Sequence, residues 1–367
     1  MSEGLRVLLF RAAYAVALIA AIGWASLLLS VSAANGTLGY DFEAYRLGVQ
    51  NLLAGRSMYD LTATAMGAFG LFFYPPPFAL LVLPFALVPG SLGILVWTAL
   101  LVAASVVAIW LMPVSARTRW VVLLLAAFCW PLIYAIKLGQ VGSILLLLFA
   151  IGWRWLDRPW HLGLAIGLGT VIKLQPGLLI GWALVTGRRQ AAVIGIAVFA
   201  VLAVAVTIFA GTQPWSDWST VLGNVSRPVL AENDQGFGRY AYLAGVSLET
   251  ATLLHYANVV AVIVVTFVAV LRTTPVASYL AVLVASQFVS PVLWDHYALL
   301  LLLPVAWLIE RGYVWAVLVP LATATLLVGI TPGITYPILF WVVLLAVTWA
   351  GLRDGRRAAR LEPIGAA

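Results

Sequence analysis

Apolar residues in this chain come in long unbroken blocks, separated by short polar stretches that hold most of the arginines. The blocks at residues 8–31, 92–112, 120–136, 141–156 and 191–210 approach or exceed the roughly 20 residues a helix needs to cross a bilayer. Inside lipid a segment must satisfy its own backbone polar groups, which selects helices for such blocks. Strands of a membrane barrel would alternate with period two instead. The pattern predicts an all-α polytopic membrane protein.

Arginine placement assigns the sides. Arg6 and Arg11 hold the N-terminus in the cytoplasm under the positive-inside bias. The first block therefore delivers "NGTLGYDFEAYRLG" to the outside. It is too long for a signal peptide and lacks a clear cleavage site, so it stays as an anchor. Arg117 and Arg119 in "SARTR" belong inside, which leaves one crossing between these points. Residues 92–112 supply it. The preceding "FYPPPFALLVLPFALVP" (73–89) is interrupted by Pro75, Pro76, Pro77, Pro84 and Pro89 and reads as a juxtamembrane or re-entrant piece. Residues 162–185 have arginines at both flanks, so they fold as a hairpin of two short helices turning at "KLQPG". Continuing this count gives about 12 transmembrane helices with both termini cytoplasmic. The expected organisation is one integral domain over 1–367, with outer segments at 32–91 and 211–248 and a basic cytoplasmic tail at 353–367.

Composition agrees: 64% of the residues are hydrophobic and 9% charged, against roughly 25% charged in soluble domains. The net charge of +7 follows from arginines in short cytoplasmic loops and does not indicate nucleic acid. A single cysteine, Cys129, excludes an intramolecular disulfide framework and reads as core packing. There is no P-loop, no GxGxxG after a strand and no Cys/His metal spacing, which disfavours an ATP-driven pump or a zinc enzyme.

With this threading, the unusual polar residues gather at the outer boundary: Asp41, Glu43, Arg46, Lys137, Gln140, Lys173, Gln175, Glu232, Asp234, Arg239, Asp295 and His296. Ionisable residues at that depth are functional candidates. Lys137 and Lys173 are the only lysines, and each sits beside a glutamine and a glycine, in "IKLGQVG" and "IKLQPGL". Cations on the non-cytoplasmic side run against the usual bias, and a phosphate is the ligand that lysine suits as a point charge. Snorkelling at a helix end is the bland reading of each. Asp41, at the start of an amphipathic stretch carrying Tyr45, Leu52 and Leu53, fits a general base or equally an N-cap. His296 and Asp295 in "LWDHY" fit a binding cluster, or a hydrogen-bonded histidine and a cap. Phe72, Phe73 and Tyr74 line a lipid groove on one reading and simply pack on the other.

The ordered set "YDFEAYRLG", "AGRSMYD", "FYPPPFALLVLPFALVP", "GQVGSILLLLFAIGW", "GLAIGLGTVIKLQPGLLIGWALVTGRR" and "SPVLWDHYALLLLP" resembles the glycosyltransferase C superfamily. Within it the set looks like the bacterial polyprenyl-phosphate-mannose-dependent mannosyltransferases of glycosyltransferase family 87. The likeness runs from Tyr40 to Pro304. It implies a multi-pass enzyme of the bacterial inner membrane with its site facing outward. Such an enzyme moves a sugar, usually with inversion, from a polyprenyl-phosphate donor to a glycolipid or polysaccharide acceptor. The family's acidic residue after the first helix matches Asp41, the general base. Its "GQ" turn matches Gly139 and Gln140, its Lys-x-x-Pro turn Lys173 and Pro176, and its later histidine His296. Asn233 and Gln235 in "ENDQGFGRYAYLAG" stand where such proteins often carry an Asn-Gln-Ser-like stretch. The expectation is that Lys137, Lys173, His296 and Arg239 hold the donor phosphate, and that Glu43, Tyr74, Gln140, Gln175, Asn233 and Asp295 contact substrate. No cofactor is expected, although Glu43 beside Asp41 leaves a divalent ion open. Three other readings stay open: transfer of arabinose or another sugar, a transporter or flippase of an anionic lipid, and a structural membrane subunit with no chemistry.

Overall fold

The structure, a computed structural model, describes residues 3–66, 70–327 and 332–361. Among them the chain forms helices joined by turns, with no strand. The long first helix, α1 (Glu3–Ala34), is followed after a glycine turn by α2 (Tyr40–Leu53), and the proline-rich piece contributes only the nine-residue α3 (Phe78–Ala86). Next come α4 (Gly90–Leu111), α5 (Ala116–Phe128), α6 (Trp130–Leu138), α7 (Gly142–Arg154), α8 (Pro159–Ile172), α9 (Leu178–Val185) and α10 (Arg189–Ala210). The segment after α10 holds α11 (Gln213–Val225) and α12 (Phe237–Leu243). The chain finishes with α13 (Leu248–Arg272), α14 (Pro275–Phe288), α15 (Leu302–Glu310), α16 (Leu318–Leu327) and α17 (Thr335–Leu361). The end of the expected basic tail, 362–367, lies outside the described residues.

Among the described residues five helices are long and apolar enough to cross a membrane: residues Arg11–Ala34 of α1, then α4, α10, α13, and Thr335–Arg356 of α17. A sixth is added if α5 and α6 are one broken span, bent by 61°. The sequence reads 120–136 as a single helix. The chain instead leaves helical geometry at Cys129 (φ −76°, ψ 96°), two residues before Pro131, whose ring and missing N–H cannot continue the ladder. Other apolar helices, α7, α8 and α14 among them, are shorter than 18 residues. At 1.5 Å per residue, 14 residues reach about 21 Å, so length alone does not make each a full crossing.

Exposure separates the layers. α14 is buried along its whole length from Ala277 to Phe288, as is the stretch from His296 to Leu308 that ends in α15. A helix apolar on every side belongs in the middle of a bundle. α1, α10 and α13 turn large apolar side chains outward instead, with Val16 67%, Ile208 82% and Phe267 59% exposed. These belts suit lipid rather than water. α8 packs tightly on α10, because a Cβ on Gly163 would sit 2.7 Å from the Ala191 carbonyl and one on Gly167 2.8 Å from that of Gly195. Small residues at such contacts let two backbones approach without a side chain between them.

Candidate active site

The turn that places the first candidate is made by two left-handed glycines. Gly39 (φ 75°) caps the N-terminus of α2, and its N–H donates to the Lys137 carbonyl at 2.8 Å. Gly139 (φ 75°) ends α6, and a Cβ there would lie 2.7 Å from that of Phe42. Trp97 of α4 closes the joint by donating from Nε1 to the Gly139 carbonyl at 2.8 Å. Glycine relieves both the left-handed strain and the clash. The joint sets Gln140 directly beside Asp41, 99 residues earlier in the chain.

Asp41 lies in the first turn of α2, not at its cap, which is Gly39. Gln140 donates from Nε2 to Asp41 Oδ2. The Gln140 Oε1 accepts from the Tyr74 hydroxyl at 2.8 Å and lies 3.1 Å from that of Tyr45; the two hydroxyls are themselves 2.8 Å apart. Occupied by hydroxyls on its oxygen side, the amide must turn its NH2 to the carboxylate. Burial pushes the Asp41 carboxyl up to about 6, against lowering by the Gln140 bond and by Lys173, and Asp295 adds to the rise. Such a group is ionised at neutral pH yet still basic enough to take a proton.

Asp41 opens into a cavity of about 400 Å³. The elements that build its wall are α2, the loop before α3, the α6–α7 turn, the break after α8, the end of α11 and the segments 231–233 and 290–297. The helix breaks at Lys173, in extended geometry (φ −143°, ψ 144°), and a short turn through Gln175–Gly177 leads into α9. This projects the Lys173 ammonium between two aromatic rings, 4.4 Å from the Tyr297 centroid and 5.6 Å from that of Tyr74. A cation so placed is held by ring faces, and its N–H groups remain available to an anion. Gln175 donates to Ser290 Oγ at 3.3 Å. The Asp295 carboxylate accepts from the His296 backbone N–H at 2.7 Å. His296 is 4% exposed, and neither ring nitrogen has a hydrogen-bond partner among the described residues. Nδ1 has the Asp295 carboxylate 3.6 Å away, and a buried imidazole with no closer partner suits a donor or acceptor brought by a ligand.

Of the candidates, Asp41, Tyr74, Gln140, Lys173, Gln175, Asn233, Asp295 and His296 line this cavity, and Lys137, Glu43 and Arg239 do not. Lys137 stays in the last turn of α6 with its ammonium 5.7 Å from the Tyr134 ring. Glu43 is engaged by Arg46 through two bonds of 2.6 and 2.8 Å. Arg239 donates to the Val229 carbonyl at 3.1 Å. Asp234 is a staple for the outer segment: it accepts from the N–H groups of Gly236 (2.9 Å), Leu293 (3.0 Å) and Val229 (3.3 Å). Sequence reasoning missed Tyr134, Tyr297, Trp218 and Trp294 in the wall. The one available signal was the aromatic density of the outer segments. Among the described residues no three His, Cys, Asp or Glu side chains come together as a metal site.

The model of glycosyltransferase family 87 matches residues 72–294, more than half of the chain. The chain is 28% identical over 285 residues to the polyprenol-phosphate-mannose-dependent alpha-(1-2)-phosphatidylinositol mannoside mannosyltransferase of Mycobacterium tuberculosis, covering 70% of this chain and 67% of that one. It is 26% identical over 346 residues to the corresponding phosphatidylinositol pentamannoside mannosyltransferase of another strain of that species, covering 87% and 79%. No solved structure matches. The chain belongs to glycosyltransferase family 87.

Proposed function

We propose that the protein transfers mannose from a polyprenyl-phosphate mannose to a hydroxyl of a glycolipid acceptor, with inversion at the anomeric carbon. The observation that carries this reading is the pairing, in one cavity, of the Asp41 carboxylate with the aromatic-flanked Lys173 ammonium. The acceptor oxygen attacks C1 while its proton passes to Asp41. The C1–O bond to phosphate breaks with its electron pair, and the polyprenyl phosphate leaves with increased negative charge. Lys173 meets that charge, and His296 donates to a phosphate oxygen. Fixed donors aimed at developing charge in a water-poor cleft are worth roughly 10²–10³ in rate each. Tyr74, Gln175, Asn233 and Asp295 supply hydrogen bonds to sugar hydroxyls. The phosphate leaves without needing a Lewis acid, so no metal is assigned to the step.

In the same reading the cavity faces outward from a bacterial inner membrane. The short helices, the α8–α9 hairpin and the α5–α6 pair complete about 12 crossings with both termini cytoplasmic. The 73–89 piece walls the cavity as a re-entrant segment. Phosphatidylinositol mannosides, on which the relatives are named as acting, are the first acceptors to try.

The test is transfer by the purified full chain from a panel of polyprenyl-phosphate sugars (mannose, glucose, galactose, arabinose), wild type beside Asp41→Asn. The expected result is polyprenyl phosphate release with mannose, abolished in the variant. Turnover only with another sugar corrects the donor, equal turnover in both proteins removes Asp41 as the base, and lipid binding without turnover favours a transporter.

A further inference from the structure

A second cavity, of about 430 Å³, lies at the opposite end of the molecule. α4 fixes this relation: its first turn touches Arg46 and Phe42 of α2, and its last turn leads to Pro113 in the wall of the second cavity. α8 runs between Arg158 in this wall and Lys173 in the first one, and its 14 residues put the two sites about 21 Å apart. The wall is made where α7 and α15 end and where α8 and α14 begin, from Arg154, Arg158, Arg311, Trp155, Trp307 and Asp157 among others. None of this is used by the sugar-transfer site.

Three features of the wall point to an anion. Its carboxylate, Asp157, is engaged from outside the wall by Arg188 at 2.9 Å. Arg311 pairs with Asp354 at 2.9 Å, which leaves Arg154 and Arg158 without a carboxylate partner among the described residues. The arginines are also pre-oriented on aromatic faces: Arg311 lies 3.8 Å from the Trp307 ring centroid and Arg154 5.5 Å from that of Trp155. Finally, Trp307 is 1% exposed and its indole Nε1–H has no acceptor among the described residues. Guanidinium groups with neighbouring N–H donors match phosphate oxygens in geometry and charge. The level is that of the ends of the α4 and α17 spans, where tryptophan and arginine meet lipid headgroups.

We propose that this cavity is a second, non-catalytic site that binds a phosphate group, the headgroup phosphate of an anionic phospholipid seated between helix ends. Two arginines near the headgroup plane give a preference over zwitterionic lipid of roughly ten- to thirty-fold. The site does not depend on which sugar the enzyme transfers.

The experiment is native mass spectrometry of the purified full chain titrated with phosphatidylglycerol or phosphatidylcholine. Wild type is compared with Arg158→Gln, with the double variant Arg154→Gln/Arg158→Gln, and with Arg117→Gln, in the first turn of α5, as a control arginine outside the cavity wall. Arg158 is exposed and makes no side-chain bond among the described residues, so its variant retains the fold, which the melting temperature checks. The expected result is one phosphatidylglycerol retained ten-fold or more tightly than phosphatidylcholine, with the preference lost in the double variant and kept in Arg117→Gln. A parallel titration with millimolar inorganic phosphate separates the sources: displacement assigns a soluble phosphate as sufficient, and retention assigns the lipid. Equal binding of both lipids by wild type, or an unchanged preference in the double variant, overturns the proposal.

Discussion

Replacing Gln140 by leucine keeps the bulk of the side chain and removes the amide that holds the Asp41 carboxylate. A hydrogen bond to a charged group contributes roughly 1.5–3 kcal/mol, and one pKa unit corresponds to about 1.36 kcal/mol. Loss of this bond, one of the two influences that lower the carboxyl, therefore raises it from about 6 to roughly 7–8. The base works when ionised, so kcat/KM of the wild type rises with pH through about 6, and that of the variant rises one to two units later. At pH 6.5 the ionised fraction falls from about three-quarters to between about a quarter and three hundredths, roughly a three- to twenty-five-fold loss, while above pH 9 the two converge. The assay is kcat/KM for the donor between pH 5 and 9. The Tyr45 and Tyr74 hydroxyls keep each other as partners but lose a shared acceptor, so the variant also melts lower by about 1–3 kcal/mol. A folded variant whose acidic limb stays where the wild type has it refutes the argument, because the amide would then have no hold on the base.

Lys173→Gln lowers kcat/KM for the polyprenyl-phosphate donor by roughly 10²–10³, whereas Lys137→Gln, outside the cavity wall, costs less than about ten-fold, as remote charges are screened. Equal losses in the two variants, measured by product formation, would reject the separation. Asp41→Asn abolishes transfer but melts higher at pH 7.5, because burial disfavours the ionised carboxylate; the gain is about 2 °C per kcal/mol of relieved desolvation, falls to about half at pH 5 and vanishes only below about pH 4, where the unfolded carboxyl is protonated too. Asp234→Ala leaves three backbone N–H groups without an acceptor. At roughly 1–3 kcal/mol each, the melt falls by at least about 3 kcal/mol, and Asp234→Asn recovers part of it.

What the sequence made legible was the set of things that need only local pattern. Helix α1, helix α4 and the break at "KLQPG" follow from apolar run length, proline and glycine, and they appear close to their expected bounds. That Asp41, Gln140, Lys173, Asp295 and His296 are candidates for one site was legible too, because polar residues at the ends of apolar blocks stand out without reference to packing, and these line one cavity. The Cys129 bend was less so, since an apolar window averages over the one residue that leaves helical geometry. The Asp41–Gln140 pair was beyond pattern altogether: it depends on Phe42 finding no Cβ at Gly139, a contact between positions 97 residues apart.

The two lysines show why similar words need not mean similar places. "IKLGQ" ends α6 at a left-handed glycine, so Lys137 remains helical and its side chain follows the helix surface to Tyr134. In "IKLQP" the helix stops two residues earlier, at Ile172. Pro176 has no N–H to give the Ile172 carbonyl and its ring would clash with that carbonyl in a continued helix, and Lys173 itself turns extended. Its side chain therefore leaves the helix axis and enters the cavity between Tyr74 and Tyr297. The "IKLGQ" turn contributes its glutamine to the site and the "IKLQP" turn its lysine. A cleft that must both hold a base and neutralise a leaving phosphate needs one of each, and a second cation beside Asp41 would depress the carboxyl out of the range where it accepts a proton.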